Sequence, residues 1–347
     1  MRPACLLLVL AVWIAACSSK PSAPSPSSAS GETAAIRVGH FPNITHSQAV
    51  IGKANGWFEK AMAPDARIDW KVFNAGPSAI EALFAGEIDM TYIGPNPAIS
   101  GYVRSRGEAL RIVAGATSGG AALIVRADAG INAPADFRGK KIASPQLGNT
   151  QDVALRAWIQ SKGLMLREKG GDVQVIPIAN PDQLTLFIRK QIDAAWAPEP
   201  WASRLIREAG GKLFLDERDL WPGGQFVTTH LIVRTQFLRE HRNLVKKWLR
   251  AHIELTDWIN KNLPQAKQIL NEQLKKETGK AIAQQVLDDS FSRLLVTYDP
   301  VKTSLFISAK SAFDAGLLGR ERPNLSGIYD LSVLNEVLKE KGAKPLQ

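Results

Sequence analysis

The chain has 347 residues, 45% hydrophobic and 22% charged, which excludes a largely disordered protein and is long enough for two cored lobes. Its formal charge of +10 permits an anionic partner, but Lys and Arg are scattered, with no block beyond pairs such as Lys246-Lys247 and Lys275-Lys276, which argues against nucleic acid. Both cysteines, Cys5 and Cys17, lie at the start of the chain, so the rest can hold no disulfide, thiolate nucleophile or cysteine-based metal site.

The N-terminus reads as an address. Residues 4–16 form an apolar run after Arg2. At about 13 residues it falls short of the roughly 20 that span a bilayer and fits a signal segment instead. It ends in Ile14-Ala15-Ala16-Cys17, which resembles a bacterial lipobox, so 1–17 is expected to be a lipoprotein signal ending at a lipidated Cys17. Residues 18–33, rich in Ser, Pro and Ala, are expected to be a disordered tether. Together they imply a domain working in the periplasm or at the outer face of the cytoplasmic membrane.

Strands and helices then alternate, the pattern of α/β architecture. Residues 36–39 read as a strand, and Thr45, with Gln48 three positions on, has the spacing of a capping box that opens a helix ending near Gly56. Ile68, Trp70 and Val72 alternate as a second strand. Gly76-Pro77 starts a helix whose apolar face is Ile80, Leu83 and Phe84 and which Gly86 stops; residues 88–93 form a third strand, and Asn96 is expected to cap the helix after it. Much of this recurs 104 residues later: the segment from Ala75 lies over that from Ala179 without a gap, matching Ile88-Asp89 to Ile192-Asp193 and Tyr92 to Trp196.

The tetrad Leu-Ile-Val-Arg occurs at 123–126 and again at 231–234, and these are read as the two crossings between lobes. The first lobe is then discontinuous, 34–122 plus 230–347, and the second is 123–229. Beyond Gln236 the pattern is mostly helical, with Leu244, Trp248, Leu249 and Ile253 as a packing stripe.

Ligands of open α/β sheets sit at the carboxyl ends of strands, where helix N-termini offer free N–H groups and a positive dipole end. The candidate ligand residues are therefore Thr45 and His46, Gly76 and Ser78, Asn96, and Asn149 and Thr150. Tyr92 and Trp196 are candidates for the apolar wall, and Ser118 and Gly119 for contacts or a hinge at the first crossing. Glu199 either holds an ammonium or pairs with an arginine of the same chain, and the second reading is favoured. Catalytic motifs are missing: there is no G-x-S-x-G, no Walker A and no H-E-x-x-H, and no histidine has metal-ligand spacing.

The runs IRVGHFPNITHSQAVIGKANGWFEK, FNAGPSAIEALFAGEIDMTYIGPNPAI, the 136–142 run, SPQLGNTQ and AAWAPEPW resemble the nitrate/sulfonate/taurine group of ABC substrate-binding proteins. That resemblance covers residues 36–201 well and the C-terminal helices loosely. It implies a two-lobed type II periplasmic-binding fold with a ligand cleft between lobes, no cofactor, no catalysis, and a monomer that delivers a small anion to a permease and its ATPase. By motif position it also implies ligand contacts at Thr45, His46, Gly76, Ser78, Thr150 and Trp196. The alternatives are a thiamine-pyrimidine precursor binder, a sensor that presents ligand to a receptor, or a same-fold enzyme; the desulfinases and pyrimidine synthases of this fold depend on cysteine.

Overall fold

The computed structural model describes residues 34–347, so the expected signal, Cys17 and the tether lie outside the described residues. Among the described residues eleven strands form two sheets. The first holds β1 (Ala34–His40), β2 (Ala66–Val72), β3 (Met90–Ile93), β4 (Leu110–Gly119), β10 (Val227–Arg234) and β11 (Leu294–Val296), in the order β11-β4-β10-β3-β1-β2. The second holds β5 (Ala121–Arg126), β6 (Lys141–Ser144), β7 (Gln174–Pro177), β8 (Ala194–Pro198) and β9 (Gly211–Asp216), in the order β7-β6-β8-β5-β9. The chain leaves the first sheet at Gly120 and returns between Asp216 and Val227, slightly before the expected crossings.

The internal repeat has a physical counterpart. Asp89 and Asp193, the matched aspartates before β3 and β8, each accept a backbone N–H from the neighbouring parallel strand, Arg37 N at 3.0 Å and Lys141 N at 2.9 Å. The arginine ending each Leu-Ile-Val-Arg tetrad pairs with the same carboxylate, Arg234 with Asp89 at 3.0 Å and Arg126 with Asp193 at 3.6 Å. In register, Leu231 stands opposite Tyr92 and Leu123 opposite Trp196. The tetrads are thus the antiparallel strands β10 and β5, each clamped to the central repeat strand of its lobe.

Central strands β3 and β8 are buried on both faces, the usual state of a strand covered by helices. Met90 and Tyr92 enter one apolar cluster and Ile93 another, while Trp196 and Ala195 likewise part to opposite sides of the second sheet. The stripe on helix Arg242–Lys261 packs on the first sheet, with Trp248 stacked on Phe58 at 4.0 Å between centroids. Among the described residues no helix is long and apolar enough to cross a membrane.

Candidate functional site

Strand β4 ends at Gly119 and β5 begins at Ala121, so the chain passes from the first sheet to the second through Gly119 and Gly120. These residues have φ of 74° and 79°, a left-handed conformation that glycine adopts freely. A side chain at Gly119 would collide with the Arg293 carbonyl. The crossing is held from both lobes. Gly119 N donates to Phe226 O at 3.0 Å, Gly120 N to Arg293 O at 2.8 Å, and Glu199 N to Gly120 O at 2.8 Å.

Several expected residues come together here. Thr45 is buried beside Gly120, and its carbonyl accepts from Thr117 Oγ1 at 2.7 Å. Thr150, the first residue of helix Thr150–Ser161, reaches across from the second lobe to Gly94, beside which the Thr228 carbonyl also lies. Thr228 in turn donates its hydroxyl to Gly119 O. Thr150 Oγ1 is buried with no protein partner. Asn149 is the cap of that helix, its Oδ1 accepting from Gln151 N at 3.2 Å. Gly76 opens helix Gly76–Phe84, pressed on Pro97 so tightly that a Cβ would fall 2.7 Å from the Pro97 Cβ. Ser78 lies on the exposed side of the same turn. Ser118 is buried near the crossing and lines a groove of about 600 Å³ with Arg218, Trp221 and Arg293. A smaller groove of about 250 Å³ opens between Pro77 and Asn96 of one lobe and Leu147 and Gly148 of the other.

His46 is 2% exposed, its ring against Phe41 at 4.5 Å and its Nδ1 facing Phe41 N at 3.4 Å. Burial holds its pKa well below the usual histidine value, with neighbouring His40 adding in the same sense. The imidazole is therefore neutral, and with Nδ1 as acceptor its Nε2 carries the proton, a donor without formal charge.

Other expectations are corrected. Tyr92 does not wall a cleft: it is fully buried in the first lobe, its hydroxyl 3.0 Å from His252 Nδ1. Trp196 is likewise a core residue, its Nε1 donating to Glu217 Oε2 at 2.8 Å. In each strand the sheet is covered on both sides, so ending a strand near the cleft does not point a side chain into it. Asn96 is not the cap of helix Pro95–Arg104; Gly94 holds that place, and Asn96 Nδ2 turns to Ser308 O at 3.3 Å. Thr45 forms no capping box, because Gln48 is drawn away to Ala116 O at 2.8 Å, and Thr45 sits instead in a short 3-10 turn, Ile44–His46.

Glu199 binds within the protein, as favoured. Its carboxylate accepts from Arg293 Nη1 at 3.1 Å, Ser203 Oγ at 3.0 Å and Ser290 Oγ at 2.9 Å. Burial pushes its pKa up, while Arg293 and the serines pull it down. Asn43, Gly94, Trp201 and Thr228 were not singled out from the sequence. Trp201 Nε1 donates to Asn43 Oδ1 at 2.9 Å from one lobe to the other. The signal for both lay in their places just after a strand, Asn43 after β1 and Trp201 at the end of the APEPW run.

No cluster of three or more metal-ligating side chains occurs among the described residues. Beside Arg218 and Arg293, the junction offers uncharged donors and the starts of helices at Gly76, Pro95 and Thr150, which border the smaller groove. Such an arrangement suits a small anion, each helix end contributing about 0.3–1 kcal/mol.

A family model described as the NMT1-like family matches residues 29–272. A Brucella abortus protein named as a binding protein is 30% identical over 253 residues, 72% of this chain and 75% of that one. The taurine-binding periplasmic protein of Escherichia coli is 26% identical over 206 residues, 59% and 61% of the two chains. Among solved structures, the alkanesulfonate-binding protein SsuA from Xanthomonas axonopodis pv. citri, bound to MOPS, superposes with TM-score 0.71 at 20% identity, covering 87% of this chain and 99% of its own. The periplasmic nitrate-binding protein NrtA from Synechocystis gives 0.75 at 16% identity over 89% of each chain. A cysteine-to-serine variant of DszB in complex with biphenyl-2-sulfinic acid gives 0.62 at 15% identity, over 89% of this chain and 99% of its own. The fold is that of the periplasmic binding proteins.

Proposed function

The chain belongs to the NMT1-like family, and on that premise we propose that it is the extracytoplasmic solute-binding component of an ABC importer, closing its two lobes on a small anion of the alkanesulfonate, taurine or nitrate class. The observation that carries this reading is Thr150. Its hydroxyl is buried without a protein partner at the N-terminus of a long helix, where the second lobe meets Gly94 of the first. Buried hydroxyls are normally hydrogen-bonded, and an oxyanion at this spot supplies the acceptor. Thr45, His46, Gly76 and Asn149 stand at the same facing edges and complete the proposed contacts; Ser78 joins from the rim.

The anchor and partners belong to the same proposal. Cys17 carries the lipid, residues 18–33 tether the lobes, and the monomer hands its anion to a permease in the cytoplasmic membrane. The DszB likeness keeps the enzyme reading in view. Residues 34–347 contain no cysteine, which supports binding over cysteine-dependent chemistry on this fold.

The test is calorimetry and thermal shift on the chain from residue 18, against alkanesulfonates, taurine, nitrate, bicarbonate and thiamine pyrimidines. One anion bound per chain, with stabilisation, is the expected result. Flat melting curves with every anion would sink the reading, and product formed from any of them would favour the enzyme.

A further inference from the structure

We infer that the site selects anions whose far end is uncharged and hydrogen-bonding, and discriminates against those that carry an ammonium there. This inference rests on the anion-binding reading above.

The carboxyl edge of the second lobe is lined by amides. The connections after β6 and β7 lie side by side: Ser144 is in register with Pro177, and Ile178 N donates to Ser144 O at 2.7 Å. From these connections and the helix turns that follow, Gln146 Oε1, Asn180 Oδ1 and Gln183 Oε1 are buried with no protein partner, as is Thr150 Oγ1. Asn180 and Gln183 are 4% and 1% exposed. Gln183 is anchored by Nε2 donating to Ile178 O at 2.8 Å, which leaves its oxygen free. Neutral amide oxygens left unpaired in a buried position favour a ligand that brings its own hydrogen-bond donor without a charge that needs compensation.

The buried carboxylates at this edge are already engaged. Glu199 is held by Arg293 and two serines. Asp152 accepts from Ser144 Oγ at 2.7 Å, Gly148 N at 3.0 Å and Arg156 Nε at 2.9 Å. Asp182, on the same turn as Asn180, is exposed to solvent, as is Asp219 in the groove beside Arg218. An ammonium brought to the amides would lose its water, find no free buried carboxylate, and face the positive ends of helices Thr150–Ser161 and Asn180–Ile188.

Three sulfonates of one chain length separate the possibilities: ethanesulfonate, 2-hydroxyethanesulfonate and 2-aminoethanesulfonate (taurine), titrated calorimetrically into the wild-type chain. The hydroxy compound should bind at least about tenfold tighter than the amino compound, a gap of about 1.4 kcal/mol. Asn180→Ala should remove the advantage of the hydroxy compound over ethanesulfonate, so that the two bind the variant within about twofold of each other, and an unchanged melting temperature of the variant reports an intact fold. Asn180→Asp, which installs a carboxylate, should raise taurine affinity and lower that of the hydroxy compound. Taurine binding as tightly as the hydroxy compound, or Asn180→Asp leaving their order unchanged, overturns the inference and leaves the anion reading standing. Binding of nitrate alone overturns it too, since nitrate has no far end. No binding by any anion removes the anion reading itself, and the inference with it.

Discussion

Gly94 and Thr150 sit in different lobes, yet a Cβ built on Gly94 would overlap Thr150 Oγ1 and stand 3.3 Å from the Thr150 Cβ. The backbone of Gly94 is extended, with φ of −68°, so alanine is allowed there conformationally; only the opposing threonine forbids it. Gly94→Ala should therefore leave the unliganded fold within about 1 kcal/mol of wild type and weaken ligand binding about 10- to 100-fold by holding the lobes apart. Calorimetry and small-angle scattering with and without ligand check this. Wild-type affinity with normal closure would show that Gly94 and Thr150 do not meet in the bound state.

The pair formed by Glu199 and Arg293 links the second lobe to the segment after helix Gln284–Ser292. Removing one partner of a buried pair leaves the other charge uncompensated, so Glu199→Ala should cost about 3 kcal/mol in urea unfolding. Glu199→Gln, which still accepts from Ser203 and Ser290, should cost less. Equal stability of all three proteins would mean that Arg293 finds another partner or solvent without penalty.

How far such contacts were legible in the residues depends on their origin. The 104-residue repeat could be read because Asp89 and Asp193 perform the same local task, tying one strand to the next, and a local task leaves a local pattern. The helix start at Asn149-Thr150 was legible for the same reason. Tyr92 and Trp196 were misread because period-two alternation carries no direction when both faces of a sheet are buried. Gln146 lies in the SPQLGNTQ run and Asn180 matches Gly76 in the repeat, yet nothing in the sequence marks these amides, or Gln183, as unpaired. Their significance is that they stay unpaired after folding, which only the packed arrangement reveals.

His46 is already neutral, so its contribution to anion affinity should not vary between pH 6 and 9. An anion beside Nε2 favours the imidazolium, so binding should take up a proton and strengthen only at acid pH, as the pKa of the complex is approached. His46→Phe should cost about 1.5–3 kcal/mol of binding, the range for a hydrogen bond to a charged group. Calorimetry with a permanently ionised sulfonate, in buffers of different ionisation heat, measures both effects. A tenfold fall in affinity from pH 6 to 8 would show instead that His46 binds as a cation.

Cys17→Ser in the full-length chain should move the protein from the membrane fraction to the soluble fraction and abolish the added diacylglyceryl mass. Unchanged fractionation would leave residues 1–17 as a plain secretion signal or an uncleaved segment.

Glu217 provides a stability test that is independent of any ligand. Burial pushes its carboxyl up to about 7, although Trp196 Nε1 donates to it and pulls the other way. Between pH 4.5, the ordinary value, and 7 the folded chain holds a proton that the unfolded chain has released. Stability due to this group therefore falls as pH rises through that window, by roughly 1–3 kcal/mol in all. Glu217→Gln keeps an oxygen for Trp196 and never ionises, so its stability should be flatter over the same window and should exceed that of wild type at pH 8. Urea unfolding of both proteins at pH 5 and pH 8 decides the matter. If the variant loses stability equally at both pH values, the carboxylate is ionised and satisfied in the fold, and burial does not govern its titration.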